Sequence, residues 1–137
     1  PLFLKHPETN FDIYHIAYPY WEEAVAIVKM FPNVTLDFCW AWNVNQVAAR
    51  QALSSALECV PLNKLHGYGG DYLCLEGTYG TLVAARREIA RVLSAKVEEG
   101  WCSEADAAHI GEMLLRDNPL ANFDLPRRRK ALSAGWV

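Results

Sequence analysis

Residues 64–72 read Lys64-Leu65-His66-Gly67-Tyr68-Gly69-Gly70-Asp71-Tyr72. The stretch begins as an apolar run, passes through three glycines and reaches an aspartate, and a long amphipathic pattern follows it. This order predicts a strand, a tight turn, an exposed acid and then a helix. Catalytic groups of parallel α/β proteins lie at the carboxyl ends of strands, so we interpret Asp71 as such a group. The alternative is that Asp71 is a turn residue or a helix cap, because Gly and Asp are common in loops.

The same order of strand and helix is predicted at the start of the chain. Aromatic and β-branched residues over 11–16 predict a strand that ends near His15. After a Tyr-Pro-Tyr break, apolar residues at helical spacing predict a helix over 21–30, which Pro32 stops.

A second unit lies between these two. The apolar run over 34–40 predicts a strand covered on both faces, as in a parallel sheet. Asn43 or Asn45 is expected to cap a helix that continues to about Cys59. Three successive βα units predict an α/β fold with parallel strands and right-handed crossovers.

The remainder of the chain is predicted to be mostly helical. A loop of roughly ten residues after Asp71 leads to a helix over 81–99, whose buried stripe leaves Arg86, Arg87, Arg91 and Lys96 facing water. Ser103 with Asp106 is expected to cap a helix to about Arg116. The expected ending comprises a stop at Asn118-Pro119, an apolar turn over 120–125 and a loosely held basic tail over 126–137. We therefore divide the chain into a folded part, 1–125, and this tail.

Composition and charge exclude several classes of function. The chain has 137 residues and a net charge of −3, so we expect no nucleic-acid partner. No apolar run approaches the roughly 20 residues that span a bilayer, so we expect no membrane association. Four scattered cysteines without a Cys-x-x-Cys pair predict reduced thiols in a cytoplasmic protein.

Parallel strands expose their carboxyl ends at one edge, so His15 and Asp71 are expected to face the same mouth. An imidazole and a carboxylate at that place hold a divalent metal or act as a base with its orienting group. The alternative for His15 is a strand histidine bonded to backbone. His66 is predicted to have a core or supporting role, and Glu76 either caps a turn or meets a ligand.

These residues carry a resemblance to a known family. The order of His15-Ile16-Ala17-Tyr18-Pro19-Tyr20, Pro32-Asn33-Val34-Thr35-Leu36-Asp37 and residues 64–71 resembles the carboxyl-terminal half of the amidohydrolase superfamily. The resemblance covers residues 1–125, including the closing segment 117–123, and is nearest to the amidohydrolase-related branch. That branch includes decarboxylases and domains fused to glutamine-synthetase-like proteins.

The resemblance implies the last three βα units of a TIM-type (β/α)₈ barrel with closing helices. It implies that Asp71, at the end of the eighth strand, is a metal ligand and acid/base, and that His15, at the end of the sixth, is catalytic. The implied cofactor is a divalent metal, with zinc expected. The implied reaction is attack of metal-activated water on a small organic substrate. Residues expected to contact the substrate are Tyr18, Trp40, Tyr72 and Glu76, with Trp42 also at the mouth.

The chain also departs from the family pattern. It has no His-x-His pair, and the ligand expected from the fourth or fifth strand is absent. We therefore expect a fragment that is inactive alone and is completed by an upstream half-barrel or a homo-oligomer partner. The alternatives are a decarboxylase or uronate-isomerase-like enzyme on the same scaffold, and a non-catalytic α/β interaction domain. A serine hydrolase is disfavoured because no Gly-x-Ser-x-Gly sequence occurs.

Overall fold

The computed structural model describes residues 2–135, apart from the side chain of residue 134. The strands are β1 (Phe11–Ile13), β2 (Val34–Asp37) and β3 (Leu65–His66). The α-helices are α1 (Leu2–Lys5), α2 (Trp21–Met30), α3 (Ala41–Val44), α4 (Gln46–Cys59), α5 (Leu75–Glu98), α6 (Glu104–Glu112), α7 (Asn118–Asn122) and α8 (Leu125–Gly135). Short 3₁₀ turns span Tyr14–Ala17 and Leu62–Lys64, and a π-helical turn spans Met113–Asp117.

The strands form a parallel sheet in the order β1-β2-β3, which confirms the predicted α/β class. Ile13 lies opposite Leu36, which in turn lies opposite Leu65. Both leucines are fully buried in one apolar cluster with residues of α2 and α4. Successive strand residues point to opposite faces. The other face of the sheet therefore carries four alternating polar residues: Asp12, Thr35, Asp37 and His66.

Strands β1 and β2 are shorter than the predicted strands over 11–16 and 34–40. β1 stops at Ile13 because the chain turns sharply, with positive φ at His15 (58°), Ile16 (52°) and Ala17 (52°). β2 stops at Asp37, whose side chain accepts a hydrogen bond from the Cys39 N–H and bends the chain. Apolar composition predicts where a strand runs but not where side-chain bonds end it.

The predicted caps are confirmed for two helices. Asn45 begins α4 by accepting hydrogen bonds from the backbone N–H groups of Val47 and Ala48. Ser103 and Asp106 form a complete capping box at the start of α6. In both helices a nearby side chain accepts hydrogen bonds from first-turn N–H groups, which have no acceptor within the helix.

Two predictions about α5 were wrong. The helix begins at Leu75 rather than near residue 81, so Glu76 and Tyr79 lie in its first turns rather than in a loop. Lys96 does not face water: it is 3% exposed and bonds Glu58 and Glu99. A basic residue on an apolar stripe becomes buried here because acidic partners from two directions meet its ammonium group.

The end of the chain also differs from the prediction. Asn118 does not stop a helix: its buried side chain donates to the carbonyls of Leu62 and Leu65, and α7 continues from it. The basic tail is helical as α8 to Gly135, and residues 126–133 are exposed, so its being loosely held stays a prediction. Its last two residues, Trp136 and Val137, lie outside the described residues. The division at residue 125 and the TIM-type barrel both stay predictions.

Within residues 2–135, no helix is long and apolar enough to cross a membrane.

Candidate functional site

His15 lies in the 3₁₀ turn that follows β1. Its Nδ1 contacts the carbonyl oxygen of Cys39 at 2.6 Å, across the turn that follows β2. A carbonyl can only accept, so Nδ1 carries the proton and the Nε2 lone pair is free in the neutral ring. The left-handed backbone at His15 thus places an imidazole with a defined tautomer at the carboxyl end of the sheet.

Asp71 faces the free nitrogen of His15. Its Oδ2 lies 3.6 Å from His15 Nε2, although β2 separates the two parent strands. Asp71 has φ 48°, in the left-handed region that Asp tolerates better than most residues. The Asp71 side chain is 57% exposed and that of His15 is 37% exposed, so solvent reaches the pair. The structure brings together the two residues that the sequence nominated, and their catalytic roles stay predictions.

The turn after β2 forms the floor between them. Trp40 has φ 56°, and its N–H donates to the Gly69 carbonyl at 3.2 Å. This bond ties the turn to the glycine loop before Asp71. The Trp40 indole is 39% exposed and lies edge-on to His15, with ring centroids 5.8 Å apart. It is placed to contact a molecule bound at the pair.

The other predicted substrate contacts differ in placement. Tyr72 is exposed and its ring packs where a Cβ on Gly77 would lie, so it covers the start of α5. Tyr18 is exposed, and its hydroxyl accepts from Asn45 at 3.3 Å. Glu76 is exposed in the first turn of α5. None of these three side chains forms a hydrogen bond or an ion pair with Asp71, and their roles stay predictions.

Trp42 was wrongly predicted to line the mouth. It is fully buried, stacks on Phe38 with ring centroids 5.4 Å apart, and donates its indole N–H to the Gly67 carbonyl at 2.9 Å. A buried tryptophan needs a partner for its N–H, and the glycine loop supplies one. Trp42 therefore supports the site from the core.

The pair suits part of a metal site. Ligand atoms of His15, Asp71 and Cys39 lie within 4.8 Å of one another. Metal-bound histidines usually donate their second ring N–H to a carbonyl or a carboxylate, as His15 does. The Cys39 thiol is the least available of the three, because burial, followed by the charges of Asp37 and Asp71, raises its pKa to about 12. A cation would have to displace the thiol proton before Cys39 could bind it, so His15 and Asp71 are the two more suitable ligands of this group.

A second polar cluster lies on the polar face of the sheet, and two of its three residues are buried. Ligand atoms of Asp12, Asp37 and His66 lie within 4.8 Å of one another. His66 Nδ1 is 3.4 Å from Asp12 and 3.5 Å from Asp37. Sequence reasoning gave His66 a supporting role but missed both aspartates. The sequence signal for both aspartates was the alternation of polar and apolar residues within the strands. It was missed because the strands were interpreted as apolar runs.

Comparisons with known proteins match most of the chain to one family. The amidohydrolase family model matches residues 1–125. Protein fluG of Emericella nidulans is 35% identical over 65 residues. That match covers 47% of this chain and spans only 8% of the fluG protein. With most of its length matched by one family model, and with the histidine and the aspartate of that resemblance in contact, the chain belongs to the amidohydrolase family.

Proposed function

We propose that the chain is the carboxyl-terminal part of a metal-dependent hydrolase that acts on a small organic substrate. The observation that carries this proposal is the approach of His15 Nε2 to Asp71 Oδ2 at 3.6 Å, with the other histidine nitrogen held by a carbonyl. Family membership supplies a hydrolase-type scaffold on which such a pair has a use.

Each residue has a distinct task in this mechanism. A divalent cation, with zinc as the first candidate, would be held in part by Asp71 and would supply a water of lowered pKa and a Lewis acid for the substrate oxygen. Asp71 accepts the proton from the attacking water and returns it to the leaving group. The His15 Nε2 lone pair is directed into the same space, where it would either bind the cation beside Asp71 or accept a hydrogen bond from the substrate or the attacking water. Trp40 forms a wall that excludes bulk solvent from one side.

The remaining metal ligands are proposed to come from outside residues 2–135. Zinc in catalytic sites takes three protein ligands, and this group offers two suitable ones. Strands β1 and β3 are the edges of the described sheet, and one of its two faces carries polar residues. An upstream half-barrel or a second copy would pair with those edges and complete both the barrel and the ligand set.

The test is a comparison of matched variants in the intact protein that contains this chain. Asp71→Asn removes the acid/base and should lower hydrolysis of a panel of small amides, esters and lactones by about 10²–10⁴-fold. Asp117→Asn makes the same chemical change at a residue paired with Arg116, and should retain activity. Chelation should abolish activity and added Zn²⁺ should restore it.

Four results would redirect the proposal. Release of carbon dioxide from carboxylic acids would indicate a decarboxylase, and interconversion of uronates would indicate an isomerase, both with the same dependence on Asp71. Full activity of Asp71→Asn would overturn its role. Absence of stoichiometric metal, with partner binding unaffected by Asp71→Asn, would support an interaction domain.

A further inference from the structure

Asp37 connects the buried cluster to the exposed pair. Its side chain is buried at the end of β2, with the residue 5% exposed. Oδ1 accepts a hydrogen bond from the Cys39 N–H at 2.5 Å, and Oδ2 lies 3.5 Å from His66 Nδ1. One carboxylate therefore contacts both the turn that carries the site and the imidazole beneath it.

Cys39 transmits this contact to His15 through its backbone alone. Its N–H is fixed by Asp37, and its carbonyl oxygen accepts from His15 Nδ1 at 2.6 Å and from the Ala41 N–H at 2.7 Å. The N–H and the carbonyl of Cys39 lie in the two peptide planes that meet at its Cα, so with the N–H held by Asp37 only rotation about the bonds of that Cα can redirect the carbonyl. That direction decides which nitrogen of His15 carries the proton.

His66 holds Asp37 from the opposite side. Burial lowers the pKa of His66, but its contacts with Asp12 and Asp37 and their charges outweigh burial and raise it to about 9. The imidazole is therefore protonated at neutral pH, between two carboxylates. Asn122 contacts the second ring nitrogen at 2.8 Å and also donates to the Asn63 carbonyl.

His66 Nδ1 lies 3.4 Å from Asp12 and 3.5 Å from Asp37 without a hydrogen bond to either carboxylate, so the contact within this cluster is ionic. In the protonated ring Nε2 donates, so the Asn122 contact is made by the amide oxygen, which accepts, in place of the bond to the Asn63 carbonyl. The attraction between the imidazolium and the two carboxylates keeps the Asp37 side chain beside the ring.

We propose that Asp37 is a positioning residue, which acts through the Cys39 backbone to hold His15 as the Nδ1–H tautomer with Nε2 directed at Asp71. The inference deepens the proposed function, because it names what orients the histidine of that site. It does not depend on turnover, since the tautomer of His15 can be observed directly. His66 and Asp12 contribute by keeping the Asp37 carboxylate in place.

The tautomer is measured by ¹⁵N NMR of histidine-labelled intact protein over a pH series, with His15→Gln assigning the signal. The unmodified protein should show a protonated Nδ1 and an unprotonated Nε2 in the neutral ring. Asp37→Ala should give a mixture of tautomers. Asp37→Asn keeps an oxygen that accepts from Cys39 and should retain the Nδ1–H form, whereas a purely electrostatic role would give both variants the same loss. Asp117→Asn is the matched control and should match the unmodified protein.

Activity gives a second readout. In an active intact protein, Asp37→Ala should lower kcat/KM by about 10–100-fold, as for other residues that orient a ligand histidine, and Asp37→Asn should rescue most of it. Loss of the tautomer in Asp37→Ala without detectable hydrolysis by any variant would overturn the proposed hydrolase and leave the positioning role supported. An unchanged tautomer in a folded Asp37→Ala protein would overturn the positioning role.

If Asp37→Ala does not fold, the proposal can still be tested by a measurement on the unmodified protein. Scalar couplings across hydrogen bonds should join the Cys39 amide nitrogen to the Asp37 carboxyl carbon, and His15 Nδ1 to the Cys39 carbonyl carbon. Both couplings are expected. Absence of either one would overturn the proposed connection.

Discussion

Gly69 lies so close to Cys39 that position 69 has no space for a side chain. A Cβ on Gly69 would lie 2.7 Å from the Cys39 sulfur and 2.8 Å from the Cys39 Cβ. The contact joins the glycine loop before Asp71 to the turn that holds His15. The distance between His15 and Asp71 therefore depends on the absence of a Cβ at position 69.

Gly69→Ala should push these two loops apart. We expect a loss of about 1–3 kcal/mol in the free energy of unfolding, typical of overpacking, and a weaker contact between His15 and Asp71. Gly80→Ala is the matched control, because no described atom lies within 4 Å of its Cβ position in α5. That change should stabilise the helix by about 0.5–1 kcal/mol. Urea unfolding of both variants provides the measurement, and equal effects would contradict the contact.

The protein should become less stable as pH rises, because His66 then loses the positive charge that its two aspartates stabilise. Burial opposes the charge, but Asp12 and Asp37 raise the pKa of His66 to about 9, above the value of about 6.5 in an unfolded chain. The folded state therefore binds this proton more tightly, and the stabilisation is fully present below about pH 6.5 and lost as pH rises through about 9. Desolvation, followed by the charge of Asp12, also raises the pKa of Asp37. Its proton is therefore bound more tightly in the folded state as well, and stability again falls as pH rises, but over a lower pH range than for His66.

Unfolding midpoints in urea should decline between pH 6.5 and 9, the interval set by the pKa of His66. His66→Gln should lower stability at pH 6.5 and flatten the decline. The exposed residue His109 offers the control His109→Gln. A decline of the same steepness in His66→Gln would show that other groups cause it.

Glu88 should be a larger contributor to stability than any exposed glutamate. It is fully buried in α5 and accepts hydrogen bonds from Arg50 at 2.6 Å, Arg91 at 2.8 Å and Arg87 at 3.2 Å. Burial raises the pKa of this carboxyl, but the arginines outweigh it and the net shift is downward. Glu88→Gln leaves partly exposed arginines that water can solvate, so the loss should be about 1–2 kcal/mol.

The exposed Glu112 provides the matched control for Glu88. Glu112→Gln should change the free energy of unfolding by less than about 0.5 kcal/mol, as is usual for surface positions. Urea denaturation of the two variants at neutral pH gives the comparison. Similar losses in both would contradict the importance of the arginine contacts between α4 and α5.

The cysteines should differ sharply in reactivity. Cys39 is 6% exposed, and its burial is the main reason why its pKa is raised to about 12. Cys74, in contrast, is exposed. Only the thiolate is nucleophilic, so iodoacetamide at pH about 8 should label Cys74 and spare Cys39. Mass spectrometry of the labelled peptides decides this, with denatured protein as the reference for full labelling. Rapid labelling of Cys39 in folded protein would show that the turn opens.

The sequence predicted the alternation of strands and helices well because apolar periodicity and caps are local. The parallel strands, the Asn45 cap and the Ser103–Asp106 capping box all follow from residues close together in the chain. The approach of His15 to Asp71 was also predictable, since parallel topology brings strand ends to one edge. Hydrogen-bond distances were not, because they depend on three turns whose φ angles are left-handed.

Long-range bonds account for most of the failures. Lys96 is buried because Glu58 comes from another helix, and Asn118 continues a helix because the Leu62 and Leu65 carbonyls lie beside it. Neither partner is visible at helical or strand spacing. Asp37 was read as one member of an apolar run, yet it links the two polar clusters.

The φ of 48° at Asp71 restricts which residues can replace it without loss of the acid. Glycine, asparagine and aspartate accept the left-handed region most readily, and aspartate alone of these is an acid. A substitution to glutamate keeps the charge but meets a backbone that disfavours it. The turn thus selects the shorter of the two acidic residues, so the reach of the carboxylate towards His15 is set by the backbone as well as by the side chain.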